Sequence, residues 1–276
     1  MWLEYYLLGT VFVLGAVIGS FLNVVIYRLH TGKSINGHSH CMSCGKRLRW
    51  FELFPIVSYL ALRGRCRGCA SYVPGRYLLV ELVTAFSFVG LYNLNVDWVL
   101  FLILAALGCV LIVIVVYDYY HLIIPNELPI VIGILALLYH TYYIFAGAGF
   151  ALVMSSLGAA FLGAGFYAFL WCISKGRWIG FGDAKLAFAL GLFLPITAIV
   201  SMVILSFWIG AFVSLVAIGL QWILERGQVS LPFVSTGITM KSEIPFAPFI
   251  VAAFIATFFF SVDVMESTSY VLSLLY

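Results

Sequence analysis

Apolar runs with almost no charge recur along almost the whole chain, most of them close to the roughly twenty residues a helix needs to cross about 30 Å of hydrocarbon. The first is read at Tyr6–Tyr27 and the second at Tyr77–Leu94. A turn, Asn93-Leu-Asn-Val-Asp97, leads to a third at Trp98–Tyr117, and the fourth and fifth fall at Leu128–Ala146 and Phe150–Ile173. Leu186–Leu224 holds no charged residue and is too long for one span. Pro195 has no backbone N–H to donate, so a break near it predicts a short sixth span and a longer seventh. The eighth covers Phe246–Val262. Only 9% of residues are charged and mean hydropathy is +1.13, against about 25% charged in a soluble domain. The expected fold class is an all-α polytopic membrane protein with about eight transmembrane helices and a small cytoplasmic four-Cys domain between the first two spans.

Charge is unevenly placed. Of 14 Lys and Arg residues, Arg28, Lys33, Lys46, Arg47, Arg49, Arg63, Arg65, Arg67 and Arg76 crowd the loop between the first two spans. Such loops stay on the cytoplasmic side. With eight spans both termini lie outside, and every Lys and Arg falls on the cytoplasmic face. The residues before the first run contain Glu4 and no basic residue, so no cleavable signal is expected and the first span is retained. No nucleic-acid fold surrounds the basic loop, so nucleic acid is not an expected partner. Its charges are expected to hold anionic lipid headgroups of the bilayer and to fix topology. Arg226–Glu243 reads as a second polar loop, rich in Gly, Ser and Thr. No internal repeat is evident.

Cys41-Met-Ser-Cys44 and Cys66-Arg-Gly-Cys69 are two C-x-x-C pairs. The spacing lets one tight turn present two sulfurs to one ion, and four thiolates close a tetrahedral zinc site. Their separation is just past the usual ~15–20 residues. A redox dithiol would sit in a βαβ pattern, absent here, and disulfides are disfavoured in the cytoplasm. A four-sulfur site leaves no open position, so the zinc is expected to be structural. Cys109 and Cys172 fall inside apolar runs and read as ordinary core residues.

Ionisable residues beside spans are the informative ones. Asp118 closes the third run, and Asp183 sits in Gly180-Phe-Gly-Asp183-Ala-Lys185 just before the sixth. Both fall at the same membrane boundary. Alone, each would read as a helix cap or a solvated boundary residue. As a pair they can hydrolyse a peptide: one ionised carboxylate takes a proton from water while the other, protonated, polarises the carbonyl. Like charges a few ångströms apart do not both ionise easily, which separates the two roles. Gly180 and Gly182 permit a close backbone approach. His121 could pair with Asp118 or be solvated, Lys185 reads as an interfacial anchor, and Asn126 reads as the cap of the fourth span. Glu81 lies inside the second span, functional by default or paired with Arg76.

In this order these residues resemble the type IV prepilin peptidases, of the Gly-x-Gly-Asp aspartyl protease class. The resemblance begins at Gly19-Ser-Phe-Leu-Asn23-Val-Val-Ile-Tyr-Arg28 and takes in both C-x-x-C pairs and Gly75-Arg-Tyr-Leu-Leu-Val-Glu81-Leu. It continues through Asp118 with Ile124-Pro125 and Gly180-Phe-Gly-Asp183-Ala-Lys185-Leu to Ile244-Pro-Phe-Ala-Pro248-Phe. It departs from the family at Asn126, often Asp, and Ala247, often Gly. The resemblance implies Asp118 and Asp183 as the catalytic pair in a bacterial inner-membrane enzyme facing the cytoplasm. It implies prepilin and pseudopilin substrates with a basic leader ahead of a hydrophobic helix, cut just before that helix. It also implies N-methylation of the new N-terminus with S-adenosylmethionine, for which Asn23, Arg28 and Glu81 are the candidate binding residues. Three segments follow: 1–27 as first span, 28–76 as the basic four-Cys domain, and 77–276 as the membrane-embedded protease. The alternatives are another Gly-x-Gly-Asp intramembrane protease, which would not share the four-Cys domain, or a transporter using Asp118 and Asp183 as an ion relay. A relay is expected near the midplane between repeats.

Overall fold

A computed structural model describes residues 2–31, 37–226 and 244–264. Lys33 and the polar stretch 227–243 lie outside the described residues. Nine α-helices follow in order among them: α1 Trp2–Thr31, α2 Val57–Ala61, α3 Arg76–Asn93, α4 Trp98–His121, α5 Glu127–Phe145, α6 Ala151–Ser174, α7 Phe181–Gly191, α8 Ile196–Arg226 and α9 Ala247–Phe259. Each of the eight apolar runs is a helix. Five, in α1, α4, α5, α6 and α8, are by themselves long and apolar enough to cross a membrane. No strand occurs among the described residues; two isolated bridges, His40 with Arg47 and Arg65 with Tyr72, are the only β-pairing.

The chain divides into two compact units, Met1–Val116 and Tyr117–Tyr276. In the first, α1 lies against α3 at backbone distance. A Cβ built on Gly15 would come 2.8 Å from the Ala85 Cα, and one on Gly19 would come 2.8 Å from the Glu81 Cα. The Gly15-x-x-x-Gly19 spacing puts both on one face, the small-residue device by which helices in lipid come together. Asp97 starts α4 as expected of a polar cap: its Oδ1 accepts from the Val99 and Leu100 N–H groups at 2.9 and 3.1 Å. Cys109 is half-buried and Cys172 exposed, so neither is the core residue expected; both lie on helix faces turned partly outward.

In the second unit α7 is the central element. Leu186, Ala187 and Leu190 are fully buried, and α7 packs against α5, α6 and α9. Its contact with α6 is the tightest: a Cβ on Gly191 would lie 2.6 Å from the Ala160 Cα. Eleven residues give a rod of about 16 Å, too short to cross a bilayer. The break falls where Pro195 predicts it, and it leaves backbone groups without helical partners to satisfy them. Side chains do so instead. Ile196 N–H donates to Ser155 Oγ at 3.1 Å. His140, buried on α5, contacts the Leu192 carbonyl through Nε2 at 2.8 Å, which makes Nε2 the donor. Its Nδ1 is buried without a partner.

His140→Leu leaves that carbonyl unsatisfied and should lower stability by about 1–3 kcal/mol. His140→Gln retains an N–H donor and should recover most of the loss. Thermal unfolding in detergent micelles compares the two, and equal midpoints would remove the capping role.

Candidate active site

Asp118 occupies the last turn of α4 and Asp183 the first turn of α7. Each is only about one-twentieth exposed, 5% and 6%. Neither is the solvated boundary residue that its position alone suggests. Asp183 Oδ2 accepts from the Gly180 N–H at 3.1 Å, closing the entry turn of its own helix. Asp118 Oδ2 accepts from the Ala247 N–H at 3.1 Å, at the start of α9. Both carboxylates therefore meet the positive end of a helix, which favours negative charge there. They lie close enough for their charges to interact.

Two contacts hold the turn after Asp118 against α7. Ile124 rests on Gly182, where an added Cβ would come 3.2 Å from the Ile124 Cβ. Gly182 is thus required for close approach. Lys185 Nζ donates to Asn126 Oδ1 at 2.7 Å. Asn126 is the N-cap residue of α5, as expected, but its side chain makes no capping hydrogen bond; its carbonyl oxygen accepts from Lys185 instead. Lys185 in turn is more than an interfacial anchor. His121 rests on the Tyr117 ring at 4.6 Å between centroids.

Two roles were not foreseen in the sequence. The Ala247 backbone reaches Asp118 from far along the chain, and only the prolines on either side of it, Pro245 and Pro248, mark an unusual helix start. Tyr167 of α6 is fully buried, shares a 2.6 Å hydrogen bond with Ser206 Oγ and senses the charge of Asp183. A tyrosine amid an apolar helix is the signal that could have found it. Two buried carboxyl groups with charge coupling and one backbone donor each can hold a water between an acceptor and a donor of protons, the requirement for metal-free amide hydrolysis.

In the other unit the four cysteines come together, with Sγ atoms all within 4.8 Å of one another. Two near-identical turns present them. Cys41 N–H donates to Lys46 O and Gly45 N–H to Cys41 O; Cys66 N–H donates to Ser71 O and Ala70 N–H to Cys66 O, all at 2.9 Å. The residue after each second cysteine is left-handed, Gly45 at φ 69° and Ala70 at φ 56°. Backbone donors at Cys44 and then Ser43 hold the Cys41 thiol down to about 6, toward the thiolate that binds metal. Cys41 and Cys69 Sγ are 3.8 Å apart, the edge of a tetrahedron with metal–sulfur bonds of about 2.3 Å. The cluster fits structural zinc.

Asn23, Arg28 and Glu81 line a single cavity of about 390 Å³ beside that cluster. Asn23 Nδ2 donates to Tyr77 O at 3.0 Å. Glu81 Oε2 accepts from the Ile56 N–H at 2.7 Å, so a loop amide is its partner. The volume suits a cofactor-sized ligand.

Two family models match the chain: the Bacterial Peptidase A24 N-terminal domain over residues 13–94 and the Type IV leader peptidase family over residues 105–215. A prepilin leader peptidase/N-methyltransferase of Burkholderia pseudomallei (strain 1026b) is 33% identical over 90% of this chain and 84% of its own length. The protein of that name from Myxococcus xanthus (strain DK1622) is 35% identical over 74% of this chain, which spans 61% of that relative. Its counterpart in Aeromonas hydrophila is 30% identical over 88% of this chain and 87% of its own length. No solved structure matches the chain. The two family models, taken with relatives matched over most of both chains, establish that this multi-pass membrane protein belongs to the type IV leader peptidase family.

Proposed function

We propose that the chain removes the basic leader of prepilins and pseudopilins at the cytoplasmic face of the bacterial inner membrane, with Asp118 and Asp183 as the catalytic pair in the segment 77–276. The observation that carries this reading is the burial of both carboxylates within reach of each other's charge, each with a backbone N–H donor. One carboxylate takes a proton from water as its oxygen attacks the scissile carbonyl. The other gives its proton to the carbonyl oxygen. The tetrahedral intermediate then collapses: the C–N bond breaks and the departing amine takes a proton from the first carboxyl group. A hydroxyl of the intermediate returns its proton to the second carboxylate as the new carboxyl group forms. A buried, dry setting strengthens both interactions. The four-Cys cluster favours this reading over other Gly-x-Gly-Asp proteases.

The second activity, N-methylation of the new N-terminus, falls to the segment 28–76 and the cavity beside it. S-adenosylmethionine supplies an electrophilic methyl group when bound. Asn23, Arg28 and Glu81 would hold it, with the carboxylate and the amide oxygen suited to hydroxyl and ammonium donors. Mass spectrometry of a prepilin co-reconstituted with the enzyme and S-adenosylmethionine reads both steps: loss of the leader, then gain of one methyl group. Uncut prepilin under these conditions would overturn the peptidase reading, and a cut but unmethylated N-terminus would overturn the second activity.

Zinc at Cys41, Cys44, Cys66 and Cys69 closes a domain too small to bury a core of its own. Purified protein should carry about one zinc per chain, and Cys66→Ser should lose most of it. Hydrogen exchange across residues 38–72 should rise in the variant. A metal content unchanged by Cys66→Ser would exclude the four-sulfur site.

A further inference from the structure

One segment between the two cysteine pairs carries an exposed surface that neither reaction uses. A 3₁₀ turn at Trp50–Leu53 passes through an extended Phe54 and a left-handed Ile56 into α2. Trp50 and Phe54 pack ring to ring at 5.7 Å, and Val57 and Leu60 follow on α2. In that order the four are 74%, 52%, 65% and 61% exposed. From the same segment Glu52, Tyr59 and Leu62 line the 390 Å³ cavity. The segment therefore lines the cavity with some of its residues and leaves four large apolar side chains uncovered.

Its depth is set by α3. Ile56, in the middle of the segment, donates its N–H to Glu81 Oε2 at 2.7 Å. Glu81 lies five residues into α3 from Arg76, about 8 Å along the helix that the sequence reads as the second span. That tether holds the segment where headgroups give way to acyl chains, the depth at which amphipathic helices rest. The rim is cationic. The Arg49 and Arg67 guanidinium groups lie 6.0 and 5.2 Å from the Phe51 ring centroid, and Arg47 and Arg63 are also exposed.

We propose that Trp50–Leu60 is a monotopic foot that lies in the membrane interface, its apolar side chains among acyl chains and its arginines on anionic lipid headgroups. The charge pattern selects this occupant. A second copy of the chain would bring one arginine rim against another, and a basic leader would meet the same repulsion. Trp and Arg side chains suit the boundary, since each has an apolar body and a polar end.

The test places a photoreactive benzophenone amino acid at Phe54, at Val57, or at Met42, an exposed position outside this segment. The full chain is reconstituted in nanodiscs of phosphatidylcholine with or without phosphatidylglycerol, and adducts are identified by mass spectrometry. Lipid adducts are expected at Phe54 and Val57, several-fold above Met42, with phosphatidylglycerol over-represented among them. Each basic group near an anionic surface contributes roughly a fivefold preference, so R49Q with R67Q should lower that enrichment by roughly tenfold or more. Adducts to a second copy or to an added prepilin in place of lipid would overturn the proposal. So would a lipid yield at Met42 equal to that at Phe54 and Val57, or no lipid adduct at either of those two. Leader removal does not enter this readout, so the foot and the peptidase can fail separately.

Discussion

Replacing Asp118 or Asp183 with asparagine should slow leader removal by at least about a thousandfold, because proton transfer by a positioned carboxyl is worth ~10²–10⁴ and each variant loses one of two linked transfers. Asparagine keeps the volume, and its Oδ1 can still accept from the Ala247 or Gly180 N–H, so Asp118→Asn and Asp183→Asn should fold and insert as the parent does. The double variant should be little slower than either single one, since groups that act as a unit are not additive. Single-turnover cleavage of a prepilin in proteoliposomes measures all three. Either single variant retaining more than a tenth of the parent rate would sink the dyad assignment, because the residue would then be a buried helix-end carboxylate only. A pre-cut pilin with a free N-terminus should still gain its methyl group in the double variant, because Asn23 and Glu81 belong to the other compact unit. Loss of methylation along with cleavage would instead tie both activities to one site.

What could be read in advance follows from the range of the interactions. Eight apolar runs became helices because lipid leaves a spanning backbone no other way to satisfy its hydrogen bonds, and run length alone decides that. The four-Cys cluster was legible because C-x-x-C is a local geometry repeated twice. The two aspartates stood out as ionisable groups at span ends. What escaped was set by partners remote in sequence. The Ala247 N–H serves Asp118 across 129 residues, and nothing local to Ala247 marks that role. Asn126 was legible as the cap position of α5; that its oxygen would accept from Lys185, 59 residues on, rather than from its own helix was not. Glu81 stood out as an ionisable group inside a span; that its oxygen accepts from Ile56 in a loop 25 residues earlier did not. Gly15 and Gly19 could have been read, since the spacing is a known close-packing device.

The contact between Ile124 and Gly182 yields the second large expected effect. Gly182→Val places two γ carbons where Ile124 already sits, its Cβ 3.2 Å and its Cγ1 and Cδ1 3.5 Å from the position of a Cβ. Relief by movement of α7 is blocked, because Gly191 rests on the Ala160 backbone and His140 holds the Leu192 carbonyl. The turn carrying Ile124 must yield instead, and it follows directly on the last turn of α4, which carries Asp118. A displacement of about 1 Å between reacting groups costs roughly a hundredfold in rate, so kcat for leader removal should fall by about that factor. KM should change little, because substrate binding does not depend on the carboxylates being correctly spaced. Ile124→Ala removes the colliding γ and δ carbons, and in combination with Gly182→Val it should recover at least about tenfold of the loss. Ile124→Ala alone should be nearly neutral in kcat. If the double variant is as slow as Gly182→Val, the glycine acts through backbone conformation at the Asp183 turn, and the close approach of the two segments is not what sets the rate.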